Sequence, residues 1–97
     1  GTSAVLRPLE DLVRRHRLSS VSILDVGCGS ADIDIALVEW AKSRGLGVRI
    51  IGIDSHPHAV RLAREQAAGI PEIDIVHSDF FEAKFSEGNF DFITIPQ

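Results

Sequence analysis

The stretch ILDVGCGSAD at residues 23–32 decides the fold of this 97-residue chain. An apolar run leads directly into a turn with two glycines, and that turn opens a helix. Glycine adopts backbone angles closed to other residues and lets a ligand approach the main chain, while a helix start presents unpaired N–H groups. The order strand, glycine turn, helix therefore predicts a nucleotide pocket, with an adenosine-containing cofactor as its natural ligand.

Composition and charge are those of an ordinary globular domain. Hydrophobic residues make up 44% and charged residues 25% of the chain, which excludes a disordered, collagen-like or disulfide-stapled protein. The formal net charge of −4 argues against nucleic acid as a partner, because such surfaces need clustered Lys and Arg. We interpret the basic run at residues 14–17 as the solvated end of a first helix.

Cysteine usage and hydropathy bear on location. The single cysteine, Cys28, permits no internal disulfide, and no stretch approaches the roughly 20 apolar residues needed to cross a bilayer. The first residues lack the pattern of a secretory signal. We expect a cytoplasmic protein with no membrane partner.

Hydrophobic periodicity predicts alternating helices and strands. Ser30 or Asp32 is expected to cap the second helix and Ser55 the third, and Pro8 is expected in the opening turn of the first. Residues 78–89 are predicted to form a loop with one helical turn. The predicted helices cover roughly residues 5–17, the stretch from the cap at Ser30 or Asp32 to near Gly45 and Gly47, and about 57–68. The predicted strands cover 21–26, 48–53, about 72–77 and 90–95.

This succession predicts an α/β fold with a Rossmann-like parallel sheet. Two right-handed crossovers place four strands in the order 3-2-1-4, with the helices mainly on one face. The opposite face then has nothing to cover it, so more chain follows Gln97 or a homodimer forms through that face. We favour the first: residues 1–97 are predicted to be one domain, the incomplete N-terminal portion of a truncated doubly wound fold.

Three aspartates follow three successive strands, where ligands of open parallel sheets bind. Asp25 ends the first strand. Asp54 lies 25 residues after Gly29, and an acidic group there can accept both ribose hydroxyls. Asp79 can accept the adenine amino group while Phe80 packs on the base. The alternatives are a helix-capping Asp54, and a turn Asp79 beside a core Phe80.

Four motifs in order resemble motifs I to IV of the class I S-adenosylmethionine-dependent methyltransferases. The resemblance covers nearly all of residues 21–95. Motif I of the family reads Asp/Glu-x-Gly-x-Gly-x-Gly, and Ala31 stands in place of its third glycine. The motifs are Asp25-Val26-Gly27-Cys28-Gly29, Gly52-Ile53-Asp54, Ser78-Asp79-Phe80 and Phe90-Asp91-Phe92-Ile93.

The resemblance implies a site for S-adenosylmethionine and transfer of its methyl group. The loop at residues 27–31 would lie against the methionine part, with Asp25 ordering its amino end. Asp54 would hold the ribose, and Asp79 with Phe80 the adenine. The acceptor is expected to be a small molecule, and no catalytic residue is assigned, since in-line displacement depends mainly on positioning. The candidate cofactor-binding residues are Asp25, Gly27, Cys28, Gly29, Ala31, Asp54, Ser55, Asp79 and Phe80.

Two other classes of protein are alternatives. An NAD-dependent oxidoreductase half-domain would need a third glycine where Asp32 stands, and that carboxylate would repel a pyrophosphate. A non-catalytic nucleotide-binding or dimerisation module would keep the fold without the chemistry. No metal site is predicted: His56 and His58 have no third ligand, and Cys28 is interpreted as a small residue that fills the loop.

Overall fold

Helices and strands alternate along the chain, as the periodicity predicts. The computed structural model describes residues 2–79 and 89–95. Phe80 lies outside the described residues. So do residues 80–88, which make up most of the loop predicted at 78–89 with one helical turn. The elements are α1 Thr2–His16, β1 Ser20–Val26, α2 Asp32–Ser43, β2 Gly47–Asp54, α3 Pro57–Gln66, β3 Ile73–His77 and β4 Phe92–Thr94.

The four strands form one parallel sheet in the order β3-β2-β1-β4. Asp25 of β1 pairs with Gly52 of β2, and Gly52 pairs with Ile75 of β3. Paired residues point to the same face of a sheet, so these three lie on one face. The predicted Rossmann-like α/β fold and its strand order are confirmed.

Helices α2 and α3 cover the same face of this sheet. Ile23 and Ile50, which are paired, lie in one cluster with Leu37 of α2, while Ile75 lies in a second cluster with Val60 of α3. Helix α1 packs on the outer side of the first cluster through the fully buried Leu9 and, partly, Val5, Leu6 and Val13. Burying an aliphatic side chain contributes about 1.5–3 kcal/mol, so these clusters fix both helices on the sheet.

The predicted helix caps are wrong. Ala31 is the N-cap of α2, in the left-handed conformation with φ 69°, and no side chain caps the helix. Asp32 is already helical, and the Ser30 hydroxyl donates to its carboxylate at 2.9 Å. At α3, Pro57 occupies the first turn, so the extended residue before it, His56, is the N-cap instead of Ser55.

Helix α1 begins earlier than predicted, at Thr2, so Pro8 lies in its second turn. One proline removes only one main-chain hydrogen bond, and the buried Leu9 next to it holds the helix against its neighbours. Strand β4 is shorter than predicted. The Asp91 carboxylate accepts a hydrogen bond from the Ser22 N–H at 2.9 Å, which fixes the entry to β4.

The buried faces of α2 and α3 do not follow their apolar residues alone. In α2, Asp34 and Val38 are buried, while Ile33 and Ala36 are only half-buried. In α3, Val60 is buried whereas Leu62 is 38% exposed.

The face of the sheet opposite the helices is only partly apolar and partly exposed. Ser22 and Arg49, which are paired near the amino-terminal ends of β1 and β2, are polar residues of this face. Ile93 of β4 is 46% exposed. Leu24 and Ile53 on the same face are nevertheless buried, so the expectation of a wholly uncovered apolar face is wrong. Among the described residues, no helix is long and apolar enough to span a membrane.

Candidate functional site

The glycine loop between β1 and α2 is tied to the end of β2 by its backbone. The N–H groups of Gly27 and Cys28 both donate to the Ile53 carbonyl oxygen, at 2.8 and 3.0 Å. Gly27 and Gly29 have φ of 69° and 55°, and Ala31 also has φ 69°. The loop therefore needs left-handed backbone at the position where this chain carries alanine, which explains the glycine of the family pattern.

Asp54 fastens the same loop with its side chain. Its Oδ2 accepts the Gly29 N–H at 3.0 Å, and its Oδ1 accepts the His56 N–H at 3.0 Å. Burial alone would raise the pKa of Asp54, but the backbone N–H groups of His56 and Gly29 lower it below its ordinary value. Asp54 is thus an ionised acceptor that joins the glycine loop to the start of α3.

A pocket of about 280 Å³ opens at this end of the sheet. It brings together four of the predicted site residues, Gly27, Asp54, Ser55 and Asp79. It also contains residues outside the list of candidate cofactor-binding residues, chiefly His56 and Ser78. The Ser78 N–H donates to the Asp54 carbonyl oxygen at 3.0 Å. The lining residues are Val26, Gly27, Ile53, Asp54, Ser55, His56, Ser78 and Asp79.

A larger groove of about 580 Å³ lies between α3 and the edge strand β3. Val60, Arg64 and His77 line it, together with other residues of α3, and none of the predicted cofactor residues does. The Arg64 guanidinium donates two hydrogen bonds there to the Ile75 carbonyl oxygen, from Nε at 3.3 Å and from Nη2 at 3.2 Å. We place the functional site in the smaller pocket, because ligands of this fold bind at the carboxyl ends of the strands.

Beneath the glycine loop lies a buried pair of carboxyl groups, Asp25 of β1 and Asp34 of α2. Asp25 is 6% exposed and Asp34 is fully buried. Neither oxygen of Asp34 accepts a hydrogen bond from a donor group among the described residues. Burial raises the pKa of both aspartates, that of Asp34 to about 9, and the interaction with Asp25 adds to the rise at Asp34.

Gly52 provides the space for this pair. A Cβ atom on Gly52 would lie 2.8 Å from Asp34 Oδ2 and 3.0 Å from the Cys28 Cβ. Asp34 was not among the predicted site residues. The sequence does contain the signal, because Asp34 stands three, four and seven residues before Leu37, Val38 and Ala41, on the buried stripe of α2.

Cys28 fills the space between the loop and β2. Burial, followed by the charges of Asp34, Asp25 and Asp54, raises the pKa of its thiol to about 12. The thiol is therefore protonated and a poor nucleophile at neutral pH. This agrees with its interpretation as a packing residue of the loop.

The histidines near the pocket have other partners. His56 Nδ1 lies 3.3 Å from Asp54 Oδ1, and His58 Nδ1 lies 3.0 Å from the Arg61 guanidinium. His77 Nε2 lies 3.0 Å from the Ser55 carbonyl oxygen, beside the larger groove. In the part of the chain that the structure describes, no group of three His, Cys, Asp or Glu side chains could hold a metal ion.

Comparison with known proteins shows which family this chain resembles. Residues 23–97 match the family described as "Methyltransferase domain". Demethylmenaquinone methyltransferases of Staphylococcus epidermidis are 32% identical over 88 residues, 84% of this chain and 35% of theirs. That of Staphylococcus aureus is 35% identical over 72 residues, 74% of this chain and 29% of its own. The chain thus spans about a third of the length of these relatives.

Solved structures agree. The plantazolicin methyltransferase BpumL, in complex with a triazolic desmethylPZN analog and SAH, has a TM-score of 0.61 at 27% identity, covering 87% of this chain and 30% of BpumL. The [4+2]-cyclase SpnF has a TM-score of 0.64 at 23% identity, covering 90% of this chain and 32% of SpnF, and is similar in fold alone.

The strand order, the glycine loop and the strand-end aspartates define a Rossmann-like domain of the nucleotide-binding class. Within that class the chain belongs to the methyltransferase domain family, so the resemblance to the class I S-adenosylmethionine-dependent methyltransferases is confirmed.

Proposed function

We propose that the protein binds S-adenosylmethionine in the 280 Å³ pocket and contributes this site to a methyltransferase. The observation that carries the proposal is the Asp54 carboxylate, which is ionised, borders the pocket and is fixed by the N–H groups of Gly29 and His56. Oδ2, which accepts only the Gly29 N–H, retains a second lone pair for a ribose hydroxyl, whereas Oδ1 also lies 3.3 Å from His56 Nδ1. BpumL, similar in sequence and fold, was solved with SAH.

The other parts of the cofactor are assigned from the same pocket. Gly27 lines it without a side chain, so the methionine part can approach the main chain. Ser55 borders the ribose position, and Asp79, which also lines the pocket, is the acceptor for the adenine amino group. Asp25, which precedes the loop, and Cys28 and Ala31, which belong to it, shape the backbone that the cofactor approaches, and Phe80 stays a prediction.

Methyl transfer in such a site depends on positioning. The reaction is an in-line displacement at the sulfonium methyl group, so holding donor and acceptor in line supplies most of the acceleration. We propose a small-molecule acceptor, because the net charge of −4 disfavours nucleic acid. The cytoplasmic location and the homodimer through the partly exposed sheet face stay predictions.

The test is calorimetric titration with S-adenosylhomocysteine, with NAD as the competing ligand. We expect saturable binding of the first only. Asp54→Ala removes charge-assisted hydrogen bonds worth about 1.5–3 kcal/mol, so its affinity should fall about 10- to 100-fold. Asp74→Ala, which removes an exposed carboxylate of β3 outside the pocket lining, is the matched control and should bind like the parent protein.

Three outcomes separate the possibilities. Binding that Asp54→Ala weakens and Asp74→Ala does not supports the proposal. Binding of NAD in preference would indicate an oxidoreductase half-domain. A folded protein that binds neither ligand would contradict the proposal and leave a module that keeps the fold without the site.

A further inference from the structure

The larger groove between α3 and the edge strand β3 is a feature that the proposed function does not use. Its volume of about 580 Å³ lies within the range of about 300–1,000 Å³ that is usual for small-molecule sites. Apolar side chains form much of its lining, chiefly the buried Val60 together with Pro57 and Ala68. The groove therefore offers room and apolar contact for a compact ligand outside the proposed cofactor pocket.

Two arginines of α3, Arg61 and Arg64, line the groove without a carboxylate partner among the described residues. The Arg61 guanidinium lies 3.0 Å from His58 Nδ1, and that of Arg64 donates to the Ile75 carbonyl oxygen. A ring nitrogen that accepts a hydrogen bond and a carbonyl oxygen are both uncharged, so neither contact neutralises an arginine. The ion pairs in the described part of the chain involve other cations. The arginines therefore favour an anionic ligand.

Charge and hydrogen bonding at the groove favour a small ligand with one carboxylate. The lining also holds one acidic residue, Glu65, so the two arginines leave an excess of one positive charge when His77 is neutral. That excess matches a single carboxylate and not a polyanion such as nucleic acid. A peptide strand added to this edge would need main-chain acceptors of β3. The Ile75 carbonyl oxygen already accepts two hydrogen bonds from Arg64, which disfavours a peptide strand.

We propose that the groove binds a small amphipathic carboxylate, an aromatic or aliphatic acid whose apolar body packs on Val60 and Ala68 and whose carboxylate is bound by Arg61 and Arg64. The two arginines stand three residues apart on α3, so they lie on the same face of the helix. Arg64 uses two of its five N–H donors on the Ile75 carbonyl oxygen, and three remain for a ligand. Those two bonds orient its guanidinium, which lowers the entropy cost of binding.

This site is separate from the proposed cofactor pocket. His77 at one side of the groove has its Nε2 3.0 Å from the carbonyl oxygen of Ser55, which lines the cofactor pocket. The two sites are thus neighbours, but they share no lining residue among the described ones. Binding of a carboxylate in the groove therefore does not depend on the proposed function.

The test is a titration followed by the backbone amide signals in two-dimensional NMR. One probe is 2-naphthoate and the other is 2-naphthamide, which keeps the apolar body and lacks the charge. We expect 2-naphthoate to shift signals of α3 and β3 and to bind about tenfold more tightly than 2-naphthamide. Arg61→Gln and Arg64→Gln should each weaken 2-naphthoate about three- to fivefold, as is usual for exposed charge pairs. The affinity for 2-naphthamide should not change.

Arg15→Gln is the matched control, because it removes an exposed arginine of α1 outside the groove, and it should bind both probes like the parent protein. Equal affinity for the two probes, or no binding of 2-naphthoate, would overturn the inference. So would shifts centred on the opposite sheet face around Ile93, or a dimer that occupies the groove with a second copy. The comparison of the two probes on the parent protein decides the question even if an arginine variant fails to fold.

Discussion

Replacing Gly52 with alanine tests the arrangement beneath the loop most directly. Gly52 lies in the middle of the sheet, with no left-handed backbone angle, so alanine can adopt its conformation. A glycine-to-alanine change at such a site ordinarily stabilises a protein by about 0.4–1 kcal/mol, because the unfolded chain loses freedom. Space alone therefore decides the sign of the effect.

The space is absent. The new methyl group would lie 2.8 Å from Asp34 Oδ2, 3.0 Å from Cys28 Cβ and 3.1 Å from Cys28 Sγ. Cys28 cannot move easily, because its N–H and that of Gly27 both donate to the Ile53 carbonyl oxygen. Overpacking of this kind costs about 1–3 kcal/mol. For a domain of this size we expect the melting temperature to fall by about 4–8 °C per kcal/mol.

Thermal unfolding followed by circular dichroism measures this change. Gly47→Ala is the control, since Gly47 also lies in β2 but is exposed, and its Cβ would meet only Ser20 Cβ closely, at 3.1 Å. In an Asp34→Ala background the penalty of Gly52→Ala should shrink, because the closest contact is gone. An unchanged or higher melting temperature for Gly52→Ala would refute the packing of Asp34 and Cys28 against this strand.

Three further predictions concern the same region. The raised pKa of Asp34 means that the folded protein keeps a proton which the unfolded chain loses above about pH 4. Stability should therefore fall as the pH rises from about 4 toward 9, by up to about 1.4 kcal/mol per pH unit; denaturant unfolding at several pH values should show that Asp34→Asn removes this slope, and an unchanged slope would contradict the assignment. Gly29→Ala places a Cβ in open space at φ 55°, so it should cost only about 1 kcal/mol of stability yet lower the affinity for S-adenosylhomocysteine at least tenfold; equal affinity would mean that the ligand does not approach this backbone. Ala31→Gly relieves a left-handed alanine at the loss of one buried methyl group, worth about 0.8 kcal/mol, so unfolding should show a change within about 1 kcal/mol, and a loss above 2 kcal/mol would show that the alanine is not strained.

The strands, their order and the glycine loop could be predicted because each leaves a local signal. Apolar runs that end in glycine or aspartate indicate buried parallel strands, and the handedness of crossovers then fixes the order. Asp54 follows its strand directly, so its position at the pocket was readable as well. The structure adds that Asp54 binds the Gly29 N–H, a contact between residues 25 positions apart.

The caps and the carboxyl pair could not be predicted in the same way. The cap of α2 depends on a left-handed alanine, Ala31, and alanine gives no sign of that conformation in the sequence. Asp34 is not predictable in this way, because helical periodicity is a pattern of apolar residues and the desolvation cost normally keeps an acid off the buried stripe. Only the three-dimensional structure shows that Asp34 packs with Cys28 against Gly52 under the loop.

The two aspartate arrangements at this edge of the sheet have opposite effects on the fold. Asp54 is held by backbone N–H groups that lower its pKa, so its charge stabilises the loop at neutral pH. Asp25 and Asp34 are buried together with raised pKa values, so at neutral pH they make the fold less stable than apolar residues would. A carboxyl group whose pKa is lowered loses its stabilising effect as the pH falls, whereas one whose pKa is raised becomes more destabilising as the pH rises, so the two arrangements make the stability of this edge respond to pH in opposite directions.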